Sequence, residues 1–167
     1  AGITFLKNDE FIQKKGLGLV KDVLTDSNNI ESNGIIGHVR YSTSGNSKLC
    51  YEDSLNEIQP FTNNIFSLSH NGNIPDSFLK DFNDKNSDTQ IIVNYLLNEI
   101  HENEFNWKNT LLKFTEKFKY AYCIIILTKN SLIAIRDRFG YRPLSLGINE
   151  NKNYIVASEN VSFIKYD

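Results

Sequence analysis

The sequence predicts an α+β fold built on antiparallel sheets, and three observations carry that expectation. Strand patterns dominate up to His70, helical spacing takes over between Asp76 and Phe118, and strand patterns return from Ala121. Short polar reversals separate the later strands, which suits antiparallel neighbours; parallel pairing needs long crossovers. No internal repeat or low-complexity tract interrupts this order.

Ile3 to Lys7 and Glu10 to Lys15 form the first predicted hairpin, with Asn8 and Asp9 as its polar turn. Gly16 and Gly18 then bend the chain, Leu19 to Leu24 supply one or two helical turns, and Thr25 to Asn33 are loop. Gly34 to Arg40 is a nearly continuous apolar strand that ends on a polar cluster, as a buried strand feeding a site would. Asn46 to Phe61 reads mostly as loop, closed by Pro60. Ile65 to His70 is the next strand, with Ser67 and Ser69 on one face and Phe66, Leu68 and His70 on the other.

The helical block begins with a short helix, Asp76 to Phe82. A long one follows from Asp88 to His101, capped by Ser87, with Ile91, Ile92, Tyr95, Leu96 and Ile100 in one stripe. Phe105 to Phe118 is a third helix, expected to bury Trp107, Leu111, Leu112 and Phe118. Strands then return at Ala121 to Thr128, Leu132 to Arg136, Leu144 to Ile148 and Tyr154 to Ala157. Lys129 and Asn130 turn the first pair, and Asn160 to Ile164 is a short closing helix.

At 167 residues, with 40% hydrophobic and 12% aromatic content, the chain suits one domain with a real core. A formal net charge of −2 and the absence of any basic run exclude a nucleic-acid footprint. No apolar run approaches the roughly 20 residues that span a bilayer, so no membrane partner is expected and a cytoplasmic location is. Cys50 lies in a polar stretch and Cys123 in an apolar run, without zinc or disulfide spacing. Neither has a base or cation placed beside it by sequence, so neither is expected to be an activated nucleophile.

Three polar clusters carry the chemistry: Gly37 to Thr43, His70 to Asn73, and Ser87 to Thr89. In a chain that otherwise takes Lys freely, Arg40 offers a planar cationic fork suited to an α-carboxylate. Asp88 offers an anion for an α-ammonium, and the Asn71 side chain with the Gly72 backbone N–H offers two donors for a developing oxyanion. Together these groups fit a free amino-acid substrate; a nucleophile is missing. Simpler readings stay open: an ordinary ion pair for Arg40, a helix N-terminal residue for Asp88, and a hairpin turn for Asn71-Gly72. His38 and His70 lack companions at metal-ligand spacing, so no metal is expected. Arg136 to Pro143 reads as a tight connection with Gly140 at positive φ, or as a brace for a partner domain.

In order and spacing, the segments Gly37 to Gly45, Gln59-Pro60-Phe61, Ser69 to Asn73, Ser87-Asp88-Thr89, Arg136 to Leu144 and Ala157-Ser158-Glu159 resemble the class II glutamine amidotransferases. Tyr41 and the tail after it favour the branch that passes ammonia to a phosphoribosyltransferase domain for the first step of purine synthesis. The resemblance implies a four-layer α-β-β-α sandwich, the N-terminal-nucleophile hydrolase fold. It also implies hydrolysis of glutamine to glutamate and ammonia by an N-terminal cysteine, through a tetrahedral oxyanion and a glutamyl thioester. Carried over residue by residue, Arg40 grips the substrate carboxylate with Thr43 beside it, Asp88 holds the ammonium, and Asn71 and Gly72 form the oxyanion hole. The implied partners are glutamine, a phosphoribosyltransferase domain of the same polypeptide, and further copies in a homo-oligomer. No cofactor is implied for this domain; Mg2+ with phosphoribosyl pyrophosphate, and in some relatives an iron–sulfur cluster, belong to the whole enzyme.

The front of the chain departs from the pattern. The family opens with Cys-Gly-Ile, a strand, a helix and a His-Arg-Gly-Gln segment before an Ala-Gly-Ile strand. Here Gly18-Leu19-Val20 follows Ala1-Gly2-Ile3 after a single hairpin, which matches that second strand. The expectation is therefore that residues 1–167 are one amidotransferase domain without a phosphoribosyltransferase domain. It should lack roughly 25 residues at the front, with the nucleophile and first strand, and be inactive alone. Two alternatives stand beside it: a non-catalytic glutamine-binding or assembly module, or another class II member such as a glucosamine-phosphate synthase or asparagine synthetase.

Overall fold

Alternating and apolar strand runs pair as antiparallel ladders in a computed structural model that describes residues 1–26, 29–40, 51–79, 82 and 87–163. The first sheet contains β1 (Gly2–Lys7), β2 (Glu10–Lys15) and β3 (Ile35–His38) in the order β2-β1-β3. Asn8 and Asp9 turn the first hairpin with φ of 52° and 62°, the left-handed region that short polar side chains tolerate. Gly2 stands opposite both Lys15 and His38, so β1 is the central strand.

The second sheet contains β4 (Phe61–Thr62), β5 (Phe66–Gly72), β6 (Tyr122–Thr128) and β7 (Leu132–Arg136) in that order. A separate hairpin joins β8 (Ser145–Ile148) to β9 (Tyr154–Ala157), and a 3-10 turn follows at Asn160–Phe163. The helices are α1 (Val20–Val23), α2 (Tyr51–Asn56), α3 (Asp76–Leu79), α4 (Asp88–Glu102) and α5 (Trp107–Lys117).

The period of two along β5 and β6 divides the core. Phe66 and Leu68, with Ile124 and Ile126 of β6, pack in one cluster with Ile92 and Leu96 of α4 and with Phe114 and Phe118. The Phe114 and Phe118 rings stack with centroids 4.5 Å apart. On the opposite face Leu127 and Ile125 meet Leu6, Ile36 and Phe11 of the first sheet. A polar seam also joins the sheets: Thr4 Oγ1 lies 2.9 Å from Thr62 Oγ1, which lies 2.8 Å from Ser67 Oγ. Sheet therefore packs on sheet, with α4 and α5 covering the outer face of the larger one.

Several expectations shift. Tyr51–Asn56 is a helix where loop was expected. The strand after Gly34 stops at His38, and the third helix spans Trp107–Lys117. Leu112 is 54% exposed, because the buried face of α5 runs through Thr110 and Phe114 and Leu112 lies well round the helix from both. Asn71 and Gly72 are not a hairpin turn; they continue β5 and pair with Cys123 and Tyr122.

Candidate functional site

The sequence places its polar clusters at strand and helix ends, and the sheet registers bring those ends together. β1 pairs Gly2 with His38, the last residue of β3. An added Cβ at Gly2 would meet the Gln59 carbonyl oxygen at 2.4 Å, so β1 passes directly against the Gln59-Pro60 segment. Gln59 in turn reaches β5: its Oε1 accepts the His70 backbone N–H at 2.6 Å. Burial holds the His38 pKa below the usual imidazole value, with the nearby His70 backbone pulling the other way. The ends of β3 and β5 thus lie close enough for the charge of His38 to act on His70.

Asp88 is the first residue of α4, behind a Ser87 cap that accepts the Gln90 N–H. Its Oδ1 accepts the Thr89 N–H at 2.7 Å, and its Oδ2 accepts the Ile74 N–H at 3.4 Å. Ile74 stands two residues beyond Gly72, so the carboxylate lies at the end of the strand that carries Asn71 and Gly72. The His70 Nδ1 is 4.0 Å from Asp88 Oδ2. His70 itself is only 3% exposed. Burial pushes its pKa down to about 4 against the opposing pull of Asp88, with the His38 and Arg142 charges acting in the same direction as burial. The ring is neutral at pH 7.

Gly72 is a glycine for a reason of space. A Cβ there would lie 2.3 Å from His70 Nε2, 2.7 Å from the Ala121 carbonyl oxygen and 3.1 Å from the Tyr122 Cα. Asn71 stands opposite Cys123 in the β5–β6 ladder. Arg40, two residues past His38, directs its guanidinium Nη1 to the Glu57 carboxylate. The pair is partly exposed, at 40% and 30% of the side chains. The local-ion-pair reading of Arg40 therefore describes where this side chain rests, and its charge is felt at His38 beside the histidine cluster. Thr43, the remaining expected site residue, lies outside the described residues, as does Cys50.

Cys123 is buried, its Sγ facing the Arg142 and Pro143 carbonyl oxygens at 3.4 Å each. Burial raises its pKa, the opposite of what an attacking thiolate needs. The Arg136 to Pro143 segment is a self-bound turn. Arg136 donates to the Arg142 and Gly140 carbonyls, Asp137 accepts the Phe139, Tyr141 and Arg142 N–H groups, and Gly140 sits at φ +67°. A cleft of about 360 Å3 lined by Asp9, Phe11, Asn63 and Lys129 opens at the far end of β1 and holds none of the expected site residues.

Sequence reasoning missed Thr89, Gln59 and Glu57 as site neighbours. The first two stand inside quoted motifs, Ser87-Asp88-Thr89 and Gln59-Pro60-Phe61, and were assigned no role there. Glu57 carries no signal beyond its charge. Among the described residues no group of three or more His, Cys, Asp or Glu could hold a metal ion, and no helix is long and apolar enough to cross a membrane.

The chain is an α+β domain of packed antiparallel sheets, with the Asp88 carboxylate at the strand end that carries Asn71 and Gly72. The glutamine amidotransferase domain family matches residues 46–165, and the chain belongs to that family. It is a class II domain related to amidophosphoribosyltransferase. The chloroplastic amidophosphoribosyltransferase of Vigna aconitifolia is 34% identical over 174 residues, covering 95% of this chain and 34% of the relative. The Bacillus subtilis amidophosphoribosyltransferase is 30% identical over 178 residues, covering 98% of this chain and 35% of the relative. A solved glutamine phosphoribosylpyrophosphate amidotransferase from B. subtilis, complexed with ADP and GMP, superposes with a TM-score of 0.75 at 29% identity, covering 97% of this chain and 36% of that one. The chain thus spans about a third of the length of these relatives.

Proposed function

We propose that this domain binds glutamine and serves as the glutaminase half of an amidophosphoribosyltransferase, releasing ammonia for a phosphoribosyltransferase domain in the first step of purine synthesis. The observation that carries this reading is the convergence at the end of β5. Asp88 accepts the Ile74 N–H just past Gly72 and stands 4.0 Å from His70, and the charge of His38, two residues before Arg40, acts on His70.

In this reading Arg40 leaves or shares Glu57 to take the substrate α-carboxylate, Thr43 lines the same side, and Asp88 takes the α-ammonium. The Asn71 side chain and the Gly72 N–H stabilise the oxyanion that forms when a thiolate attacks the side-chain amide. Burial and a raised pKa disqualify Cys123 as the attacking thiolate. The finer architecture proposed is the four-layer α-β-β-α sandwich of the N-terminal-nucleophile hydrolases. The domain itself uses no cofactor; Mg2+ with phosphoribosyl pyrophosphate, a homo-oligomeric state and a cytoplasmic location belong to the proposed whole enzyme.

The test is labelling of the full-length protein by an electrophilic glutamine analogue, with L-glutamate protection. Stoichiometric labelling that glutamate blocks and Arg40→Ala abolishes supports the proposal. Glutamate binding without labelling points to a non-catalytic glutamine-binding module, and the absence of both overturns the assignment.

A further inference from the structure

The hydrogen bonds behind Asp88 assign every proton in the cluster. A carboxylate only accepts, so the Thr89 hydroxyl, 3.2 Å from Asp88 Oδ1, gives its single proton to Asp88. Its lone pairs then accept from Gln59 Nε2 at 3.2 Å and from His70 Nδ1 at 3.1 Å. His70 is neutral and must carry its proton on Nδ1, which leaves Nε2 bare. That nitrogen is buried and meets no donor among the described residues. Gln59 closes the cluster by accepting the His70 backbone N–H. Thr89 is 3% exposed and Gln59 is 7% exposed, so neither can touch a ligand directly.

We propose that Thr89, held by Gln59 and His70, is a positioning residue that fixes the orientation of the Asp88 carboxylate toward the α-ammonium of the substrate. Three donors among the described residues converge on the Asp88 carboxylate: the Thr89 N–H and hydroxyl both fall on Oδ1, while Oδ2 has the long contact from Ile74 and His70 Nδ1 at 4.0 Å. The less occupied oxygen is the one free to receive a cation. Without the hydroxyl, Oδ1 keeps the Thr89 N–H but loses its second tether, and the Gln59 and His70 donors lose a buried acceptor.

This inference rests on the proposed role of Asp88, and the experiment separates the two. Dissociation constants of the full-length protein are measured by calorimetry for L-glutamate and for glutarate, which is glutamate without its α-ammonium. Thr89→Val is expected to weaken L-glutamate about tenfold, in line with partial loss of one charge-assisted bond, and glutarate less than twofold; Thr89→Ser restores L-glutamate to within about threefold. Equal weakening of both ligands, or of neither, overturns the proposal, because a merely structural role would not distinguish them. Asp88→Asn is the control. If it leaves the preference for glutamate over glutarate intact, the Asp88 assignment itself fails; if it removes the preference while Thr89→Val keeps it, only the positioning role fails. Should Thr89→Val not fold, Thr89→Cys, of similar size with a weak donor, carries the same prediction.

Discussion

Replacing Gly72 by alanine tests whether the strand end is built around His70. The new Cβ would lie 2.3 Å from His70 Nε2 and 2.7 Å from the Ala121 carbonyl oxygen, with the Tyr122 Cα at 3.1 Å. Normal contacts of this kind lie near 3.5 Å or beyond, so two of the three overlaps approach or exceed an ångström on that scale. The Ala121 oxygen and the Tyr122 Cα are backbone, and His70 is 3% exposed with its other nitrogen tied to Thr89, so none of the three can swing clear. Overpacking of this kind costs about 1–3 kcal/mol, a factor of about 5 to 150 in the folding constant. Urea denaturation should show a lower midpoint with an unchanged slope. The double variant with His70→Ala should be less destabilised than the sum of the singles by at least about 0.5 kcal/mol, since one of the overlapping atoms is gone. A Gly72→Ala protein within about 0.5 kcal/mol of wild type, or strict additivity with His70→Ala, would refute the reasoning.

Three further outcomes follow from the same contacts. His70 titrates at about 4 when folded against 6.5 as a free imidazole, so between those values the unfolded chain binds the extra proton. Stability should therefore fall as pH drops from about 6.5 toward about 4, by on the order of 1–3 kcal/mol, and His70→Asn should flatten that slope in pH-dependent urea titrations. Asp137 is held below the usual carboxylate range by the N–H groups of its own turn, which outweigh its burial. Asp137→Ala should cost about 1–3 kcal/mol by stranding those donors, and a hydrogen-exchange measurement should find the loss of protection centred on residues 137–142. Phe114, fully buried and stacked on Phe118, should cost about 3–5 kcal/mol when replaced by alanine, read as a lower thermal midpoint.

What the sequence made legible were elements whose local pattern agrees with their packing. The long α4 helix has both a Ser87 cap and an apolar stripe, and Ile91, Ile92, Leu96 and Ile100 are buried as the spacing requires. The β6 run is likewise apolar on both faces because it lies between the first sheet on one side and α4 and α5 on the other. Asn71-Gly72 misled because an Asn-Gly pair is a strong local turn signal, yet its partner strand arrives some 50 positions later and captures it by long-range pairing. Residues Tyr51–Asn56 carry too little apolar periodicity to announce a helix.

The site divides in the same way. Arg40, Asp88, Asn71 and Gly72 stand out from sequence as candidates, because an amino-acid ligand would demand those charges and donors. Asp88 is what its simpler reading held, the first residue of a capped helix. The residues behind the site could not be ranked from sequence, since the contacts of Thr89 with His70 and Gln59 exist only once α4 docks on β5. The Glu57 partner of Arg40 is likewise a product of the fold around the site.

A crystal structure of the protein with L-glutamate bound tests the central claim most directly. The account predicts the α-carboxylate on the Arg40 guanidinium and the α-ammonium on the Asp88 carboxylate, with the side chain running toward Asn71 and Gly72. A ligand seated elsewhere, or one that leaves Arg40 joined only to Glu57 and Asp88 without a cation, would contradict it.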